Sequence, residues 1–277
     1  MSYTATAADV KKLRELTGAG MMDCKKALNE AGGDMDKAIE NLRKKGQKLS
    51  AKRADRDAKE GVVIAMVNDD KNKGVVVRLS CETDFVAKND DFVNLTKEIA
   101  ELALNAFVND KETLLQQDFG GIPLGEKITE QIGVIGEKVE LADYQKLSAP
   151  LVASYIHMGN KAGVIIGLNK DVDGAEDAGK NVAMQVAAMK PIAVDKDNVD
   201  ASIVEKEIEI GMEQARREGK PEAMLEKIAK GKLNKFFKEN TLLNQVYVKD
   251  GKQSVRDYLK SIDPDLTVND FKHLKLG

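Results

Sequence analysis

One pattern occurs twice along the chain, and it restricts the fold more than any other feature. GVVIAMV (61–67) and GVVVRLSC (74–81) are β-branched runs joined by a polar, turn-forming stretch, and an amphipathic helical segment follows with Phe92, Leu95, Ile99, Leu102 and Ala106 on one face. Further on, LVASYIH (151–157) and AGVIIGL (162–168) are joined through Met158-Gly159-Asn160-Lys161 and lead to a helix with Ala178, Val182, Val186 and Met189. Setting Gly74 against Gly163 lays hairpin on hairpin and helix on helix. A lone hairpin buries too little to be stable in water. The repeat therefore predicts two related α+β subdomains built from a duplicated unit.

The flanks read as helical. Thr6 and Asp9 form a weak capping box before a stripe of Val10, Leu13 and Leu16 that stops at Gly18. Met21, Cys24, Leu28 and Ala31 make a second helix, and Asp34 caps a third with Met35, Ala38, Ile39 and Leu42, which is expected to end before Gly46. The next segment, to Glu60, is charged and nearly without large apolar residues, so it reads as a solvated helical spacer or linker. After Pro191, the stretches 199–218 and 221–238 suggest an antiparallel helical hairpin. Its narrow apolar faces suit either protrusion from the body or packing on its own subdomain. The chain closes with a helix near Val255–Leu259 and a strand-like segment near 266–276. The predicted boundaries are a helical bundle at 1–52, a charged linker at 53–60, a first core subdomain at 61–146 and a second at 147–277 that includes the hairpin at 191–238.

Composition excludes several function classes. A length of 277 residues suits two or three modest units. With 43 Lys and Arg against 46 Asp and Glu, the net charge is -3, and nothing draws the whole chain to a phosphate backbone. Lys48, Lys52, Arg53, Arg56 and Lys59 are interrupted by Asp55, Asp57 and Glu60, and aromatic stacking platforms are scarce, so no direct nucleic-acid contact is expected. No apolar run approaches the roughly 20 residues of a membrane span. The opening Met1-Ser2-Tyr3 does not read as a secretory signal, and Cys24 and Cys81 sit outside any CxxC spacing, so a reducing cytoplasm is expected, with both thiols in packing roles. There is no P-loop, HExxH or GxSxG pattern, and His157 and His273 are the only imidazoles. No metal, cofactor or nucleophilic site can be assembled. By elimination the chain reads as an interaction protein, not an enzyme.

One short element, Cys81-Glu82-Thr83-Asp84-Phe85-Val86-Ala87-Lys88, lies between a strand and a helix. Thr83 or Asp84 can cap a helical turn there. A Phe after such a cap is in general a buried staple, and an exposed probe is the sharper alternative.

The run Leu13-Arg14-Glu15-Leu16-Thr17-Gly18-Ala19-Gly20-Met21-Met22-Asp23-Cys24-Lys25-Lys26-Ala27-Leu28 closely resembles the opening of the bacterial elongation factor Ts family. Thr83-Asp84-Phe85-Val86-Ala87-Lys88 resembles that family's signature loop. Tyr155-Ile156-His157 with Gly163-Val164, and Asn181 to Ala188 before Lys190-Pro191, resemble its later blocks in the same order. The resemblance implies an α+β fold: an N-terminal three-helix bundle like the ubiquitin-associated (UBA-like) domain, followed by two related α+β core subdomains with a protruding helical hairpin. It implies a guanine-nucleotide exchange factor that binds elongation factor Tu in its GDP-bound and nucleotide-free states, with no cofactor of its own, and with a homodimer or a 2:2 complex as the assemblies it allows. The partner-binding residues it carries over are Arg14, Met21, Met22 and Lys25 of the bundle, Thr83, Asp84, Phe85 and Val86 of the loop, and Ile135, Gly136 and His157. Met21 lies on the apolar stripe and is expected in the bundle core, which leaves Met22 as the better contact. Relatives often carry an arginine pair where this chain has Ala142-Asp143, and some have a C-terminal helix beyond the segment that ends here at Gly277. An RNA-binding or chaperone-like adaptor using the spacer and hairpin, and an enzyme with titratable groups around His157, are the alternative classes.

Overall fold

The computed structural model describes residues 3–277, so Met1 and Ser2 of the predicted bundle lie outside the described residues. Helices α1 (Ala7–Thr17), α2 (Met21–Glu30) and α3 (Met35–Arg53) enclose a small core of Val10, Leu13, Ala19, Cys24, Ala27, Leu28 and Ala38. Thr6 and Asp9 complete the capping box at the start of α1. The third helix does not end before Gly46. It continues to Arg53 because Gly46 forms a close helix crossing with a later helix, α7 (Leu124–Ile135). A Cβ on Gly46 would lie 2.9 Å from the Thr129 carbonyl oxygen, and one on Gly133 would lie 3.0 Å from the Gly46 Cα. Only a residue without a side chain lets the two backbones approach so far. Arg43 pairs with Glu130 at 2.6 Å beside the crossing.

The core holds two three-stranded antiparallel sheets. The first is ordered β1 (Glu60–Val67), β2 (Lys73–Cys81), β3 (Val139–Ser148), and the second β4 (Leu151–Ile156), β5 (Ala162–Leu168), β6 (Val268–Lys275). Between β2 and β3 the chain forms the short α4 (Asp84–Ala87), then α5 (Asp90–Ala106), the short α6 (Lys111–Leu115) and α7. Helices α5 and α7 cover the outer face of the first sheet through Phe92, Ile99, Leu124 and Ile132. In the second unit α8 (Ala175–Met189) covers the sheet through Ala178, Val182 and Val186.

The duplication extends to register. Val62 pairs with Leu79 in the first hairpin and Leu151 with Leu168 in the second, a spacing of 89 residues. The ladder to each third strand is bulged at equivalent steps, Arg78/Leu79 and Gly167/Leu168. In the helices the spacing falls to 83: buried Ile99 corresponds to Val182, and both helices end on a left-handed cap, Phe107 (φ 45°) and Lys190 (φ 49°). The strand-to-helix connection is therefore six residues longer in the first unit, and that excess holds α4.

The sheets pack face to face through Val63, Val76, Leu147, Val152, Ile165 and Leu274. A Cβ on Gly74 would press on Val152 and Ile165 at 2.8 and 3.3 Å, and one on Gly163 on Val63 and Val76 at 3.0 and 3.2 Å. These contacts are reciprocal between equivalent positions, as an internal two-fold relation requires.

The predicted hairpin is α9 (Ala201–Arg217) and α10 (Glu222–Asn240). Its buried residues, Gly211, Ala215, Leu225 and Ala229, are small or face the opposing helix, so the hairpin packs on itself and rejoins the body at Leu242–Asn244. Helix α11 (Val255–Lys260) precedes β6. Among the described residues no helix is long and apolar enough to cross a membrane.

Candidate functional site: an exposed turn on an ionic platform

Helix α4 is a single turn capped by Thr83, whose hydroxyl accepts from the Val86 amide. Val86 and Ala87 point inward onto the first core and fix the turn's orientation. Phe85, between Asp84 and Val86, therefore faces outward and is 82% exposed. The buried-staple reading does not hold, because Val86 and Ala87 fill the space a staple would take. Asp84 is paired with Lys88 at 2.6 Å, and the lysine holds its carboxyl below the usual carboxylate range. Both groups are exposed, so the pair can be exchanged for another partner at little free-energy cost.

Below the turn lies a network spanning distant parts of the sequence. Glu137 accepts from the Thr83 amide at 3.0 Å and the Thr83 hydroxyl at 2.7 Å. Glu82 accepts from the Lys138 amide at 2.6 Å and is paired with Arg53 at 2.5 Å and Arg56 at 3.1 Å. Lys138 donates to the carbonyls of Ala54 and Arg56, both at 3.0 Å. The end of α3 is thereby tied to the turn, while Ala54, Asp55, Arg56, Asp57 and Lys59 of the spacer remain exposed. Burial opposes the charge of Glu82, yet the Lys138 amide and the two guanidiniums together hold its carboxyl below the usual range. With a folded-state pKa below the ordinary 4.5, this anchorage stabilises the fold above about pH 4.5 and is lost as pH falls through the depressed pKa.

The structure brings Ile135 and Gly136 to this platform. Gly136 is the left-handed cap of α7 (φ 81°), a conformation that suits glycine, and it turns the chain so that Glu137 meets Thr83. Ile135 and Val86 line one groove of about 620 Å³ between α5 and α7. His157 follows β4 in the second unit; it is exposed, with Nδ1 3.2 Å from the Tyr155 hydroxyl. Arg14, Met21, Met22 and Lys25 sit apart from the loop but together, along a shallow groove of about 570 Å³ on the bundle. Met21 is 61% exposed and Met22 74%, which corrects the expectation that Met21 is core: its stripe position points over the α1–α2 groove, while Cys24 and Leu28 fill the interior.

The arrangement presents exposed apolar side chains beside paired charges. Among the described residues no set of three or more His, Cys, Asp or Glu is disposed to hold a metal ion. Cys81 donates to the Thr83 carbonyl at 3.2 Å, and burial, with Glu137 nearby, pushes its thiol up to about 12. Burial also raises Cys24. A thiol reagent at pH 8 is expected to titrate no cysteine in the native protein and both after denaturation; rapid native labelling of either would contradict this packing.

The elongation factor TS family matches this chain over residues 82–277, a span that opens at the platform glutamate and runs from the α4 turn through β6, leaving β1 and β2 outside it. Full-length relatives add the bundle: the elongation factor Ts of Christiangramia forsetii is 59% identical over 98% of both chains, and that of Flavobacterium psychrophilum 57% over 99% of both. The chain belongs to the elongation factor Ts family. The elongation factor Ts of Porphyromonas gingivalis, at 44% identity, also spans 98% of both chains. The Elongation factor Ts assignment thus covers bundle, spacer, both units and hairpin together.

Sequence reasoning did not find the platform itself. Nothing in the local sequence links Glu82, Glu137, Lys138 and Arg53, whose partners lie 26 to 84 residues away. Glu137→Ala is expected to speed amide hydrogen exchange of residues 83–87 about tenfold, the effect of losing roughly 1.4 kcal/mol of local anchorage. Unchanged protection of the turn would show that Glu137 does not hold it.

Proposed function

We propose that this chain is a guanine-nucleotide exchange factor for elongation factor Tu, speeding GDP release during translation elongation without chemistry of its own. The observation that supports this most directly is Phe85, an aromatic ring held clear of its own core on a braced turn in a member of this family. The GTPase holds GDP beside a Mg²⁺ that keeps several of its waters, and disturbing the groups around those waters weakens both metal and nucleotide. In this reading Phe85 enters between side chains behind the metal. Asp84 leaves Lys88 and positions the turn, Thr83 and Val86 hold it, and Ile135, Gly136 and His157 press on the neighbouring wall. Arg14, Met21, Met22 and Lys25 dock the bundle, an interface where flexible thioethers suit a contact that must form and dissolve.

A ~10³-fold loss of nucleotide affinity requires about 4 kcal/mol, and burying one Phe contributes roughly 1.5–3 kcal/mol. The broad docking surface and the loosened metal supply the rest. Linkage requires factor and GDP to weaken each other by the same factor. A fluorescent-GDP release assay on the cognate GTPase tests the reading: acceleration supports it, and release at the intrinsic rate at every factor concentration rejects it. Salt-sensitive RNA binding without any effect on release would favour the adaptor class.

A further inference from the structure

Phe85 and Met158 are the most exposed large apolar side chains among the described residues, at 82% and 85%. Met158 occupies the one-turn helix at the tip of the β4–β5 hairpin, and the tip is well fixed. The His157 amide donates to the Ala162 carbonyl at 2.8 Å and the Asn160 amide to His157 at 3.0 Å, while Gly159 and Asn160 take left-handed conformations. A scattered exposed methionine needs no explanation. The position of this one does.

Three observations place the tip at the end of the sandwich that carries α4. Ala162, at the base of the tip, pairs with Lys275, whose carbonyl accepts from Arg78 at 2.9 Å; Arg78 lies three residues before Cys81, where β2 gives way to the α4 turn. The Leu276 amide donates to Lys161 at 2.9 Å, holding the tip to the same corner. Ile156, just before the tip, packs on the apolar core that also receives Val86 and Ala87. The duplication supplies a control. At the spacing of 89 residues, Met158-Gly159 corresponds to Asp69-Asp70 in the first hairpin, where the tip is polar and Lys71 is paired with Glu176 of α8. The same scaffold closes with a charged tip in one copy, so folding does not call for an apolar side chain in the other.

We propose that Met158 is a further apolar contact with the GTPase, at the same end of the sandwich as Phe85 and entering a small apolar recess on the nucleotide-free form. This rests on the exchange-factor reading. Phe85 and Met158 would then make two apolar points of contact at one end of the sandwich, one on each unit, so the partner grips both sheets at once. A flexible thioether suits a surface that changes shape as the nucleotide leaves.

The test titrates the full chain, as wild type, Met158→Ser and Met158→Leu, into the GTPase loaded with fluorescent GDP. Met158→Ser is expected to raise the half-stimulating concentration about tenfold, the loss expected for truncating a contact worth about 1.4 kcal/mol, with the maximal rate within about twofold of wild type. Met158→Leu is expected to restore most of the affinity. Equal melting temperatures for all three would follow from the side chain's exposure. A Met158→Ser titration that overlays the wild type, or one that lowers only the maximal rate, overturns the contact. A wild-type chain that leaves release at the intrinsic rate overturns the exchange-factor reading as well, so the two failures are distinguishable.

Discussion

Phe85→Ala is expected to lower the maximal stimulated rate of GDP release about a hundredfold, close to the 2–3 kcal/mol that a fully buried Phe contributes at an interface. The melting temperature should remain within about a degree of wild type, because Val86 and Ala87, not Phe85, pack against the core. The separation of the two readouts is the informative part. A core aromatic truncated to alanine costs about 3–5 kcal/mol of stability, so a large drop in melting temperature would mean the ring turns inward in solution. Unchanged release with unchanged stability would remove Phe85 from the mechanism. Stopped-flow release at saturating factor, alongside a thermal melt, decides among these outcomes.

Gly133→Leu is expected to produce the second large effect, by a different route. Residue 133 is inside α7, where leucine is a better helix former than glycine by roughly 1 kcal/mol, so the helix itself gains. The crossing with α3 does not survive, because even the first atom of the new side chain would lie 3.0 Å from the Gly46 Cα, and backbone cannot rotate away. The bundle is wedged off its seat. Since α3 runs on to Arg53 and the Glu82 platform, the fixed spacing between the Met21–Met22 groove and Phe85 is lost. The half-stimulating concentration should rise at least tenfold, on the order of what overpacking a closely fitted contact costs. Spin labels on Lys25→Cys and Lys88→Cys should give a narrow distance distribution in the parent and a displaced or broadened one in Gly133→Leu, with the buried Cys24 and Cys81 left unlabelled. Identical distributions and identical titrations would show that the bundle's seat does not set the spacing.

Much of the scaffold was legible because its signals are local. The two hairpins carry β-branched runs, the covering helices carry an unbroken apolar stripe, and Gly18, Pro191 and Gly219 mark real ends or turns. Strand β3 was not legible, since the bulge at Ala142 shifts its alternation: Val139 and Leu141 are buried, and then Tyr144 and Leu147. Gly46 misled because a glycine that ends a helix and one that lets two helices touch look alike in sequence. Met21 misled for a related reason: stripe position fixes an angle around the helix, while burial depends on what stands opposite. The loop at Thr83–Lys88 was recognisable as a strand-to-helix connection. The direction of its aromatic ring depends on Val86 and Ala87 finding a core and on Glu82 and Glu137 finding partners far along the chain, and no local window contains that information.

The longer connection of the first unit lies where neither a strand ladder nor a helix is interrupted, so it forms a beak on one corner of an otherwise balanced body. An outgrowth rooted at such a joint can lengthen, shorten or change its tip without renegotiating the masonry beneath, which lets recognition drift while the building stands. The matching corner of the second unit, Lys170 to Gly174, carries no helical turn.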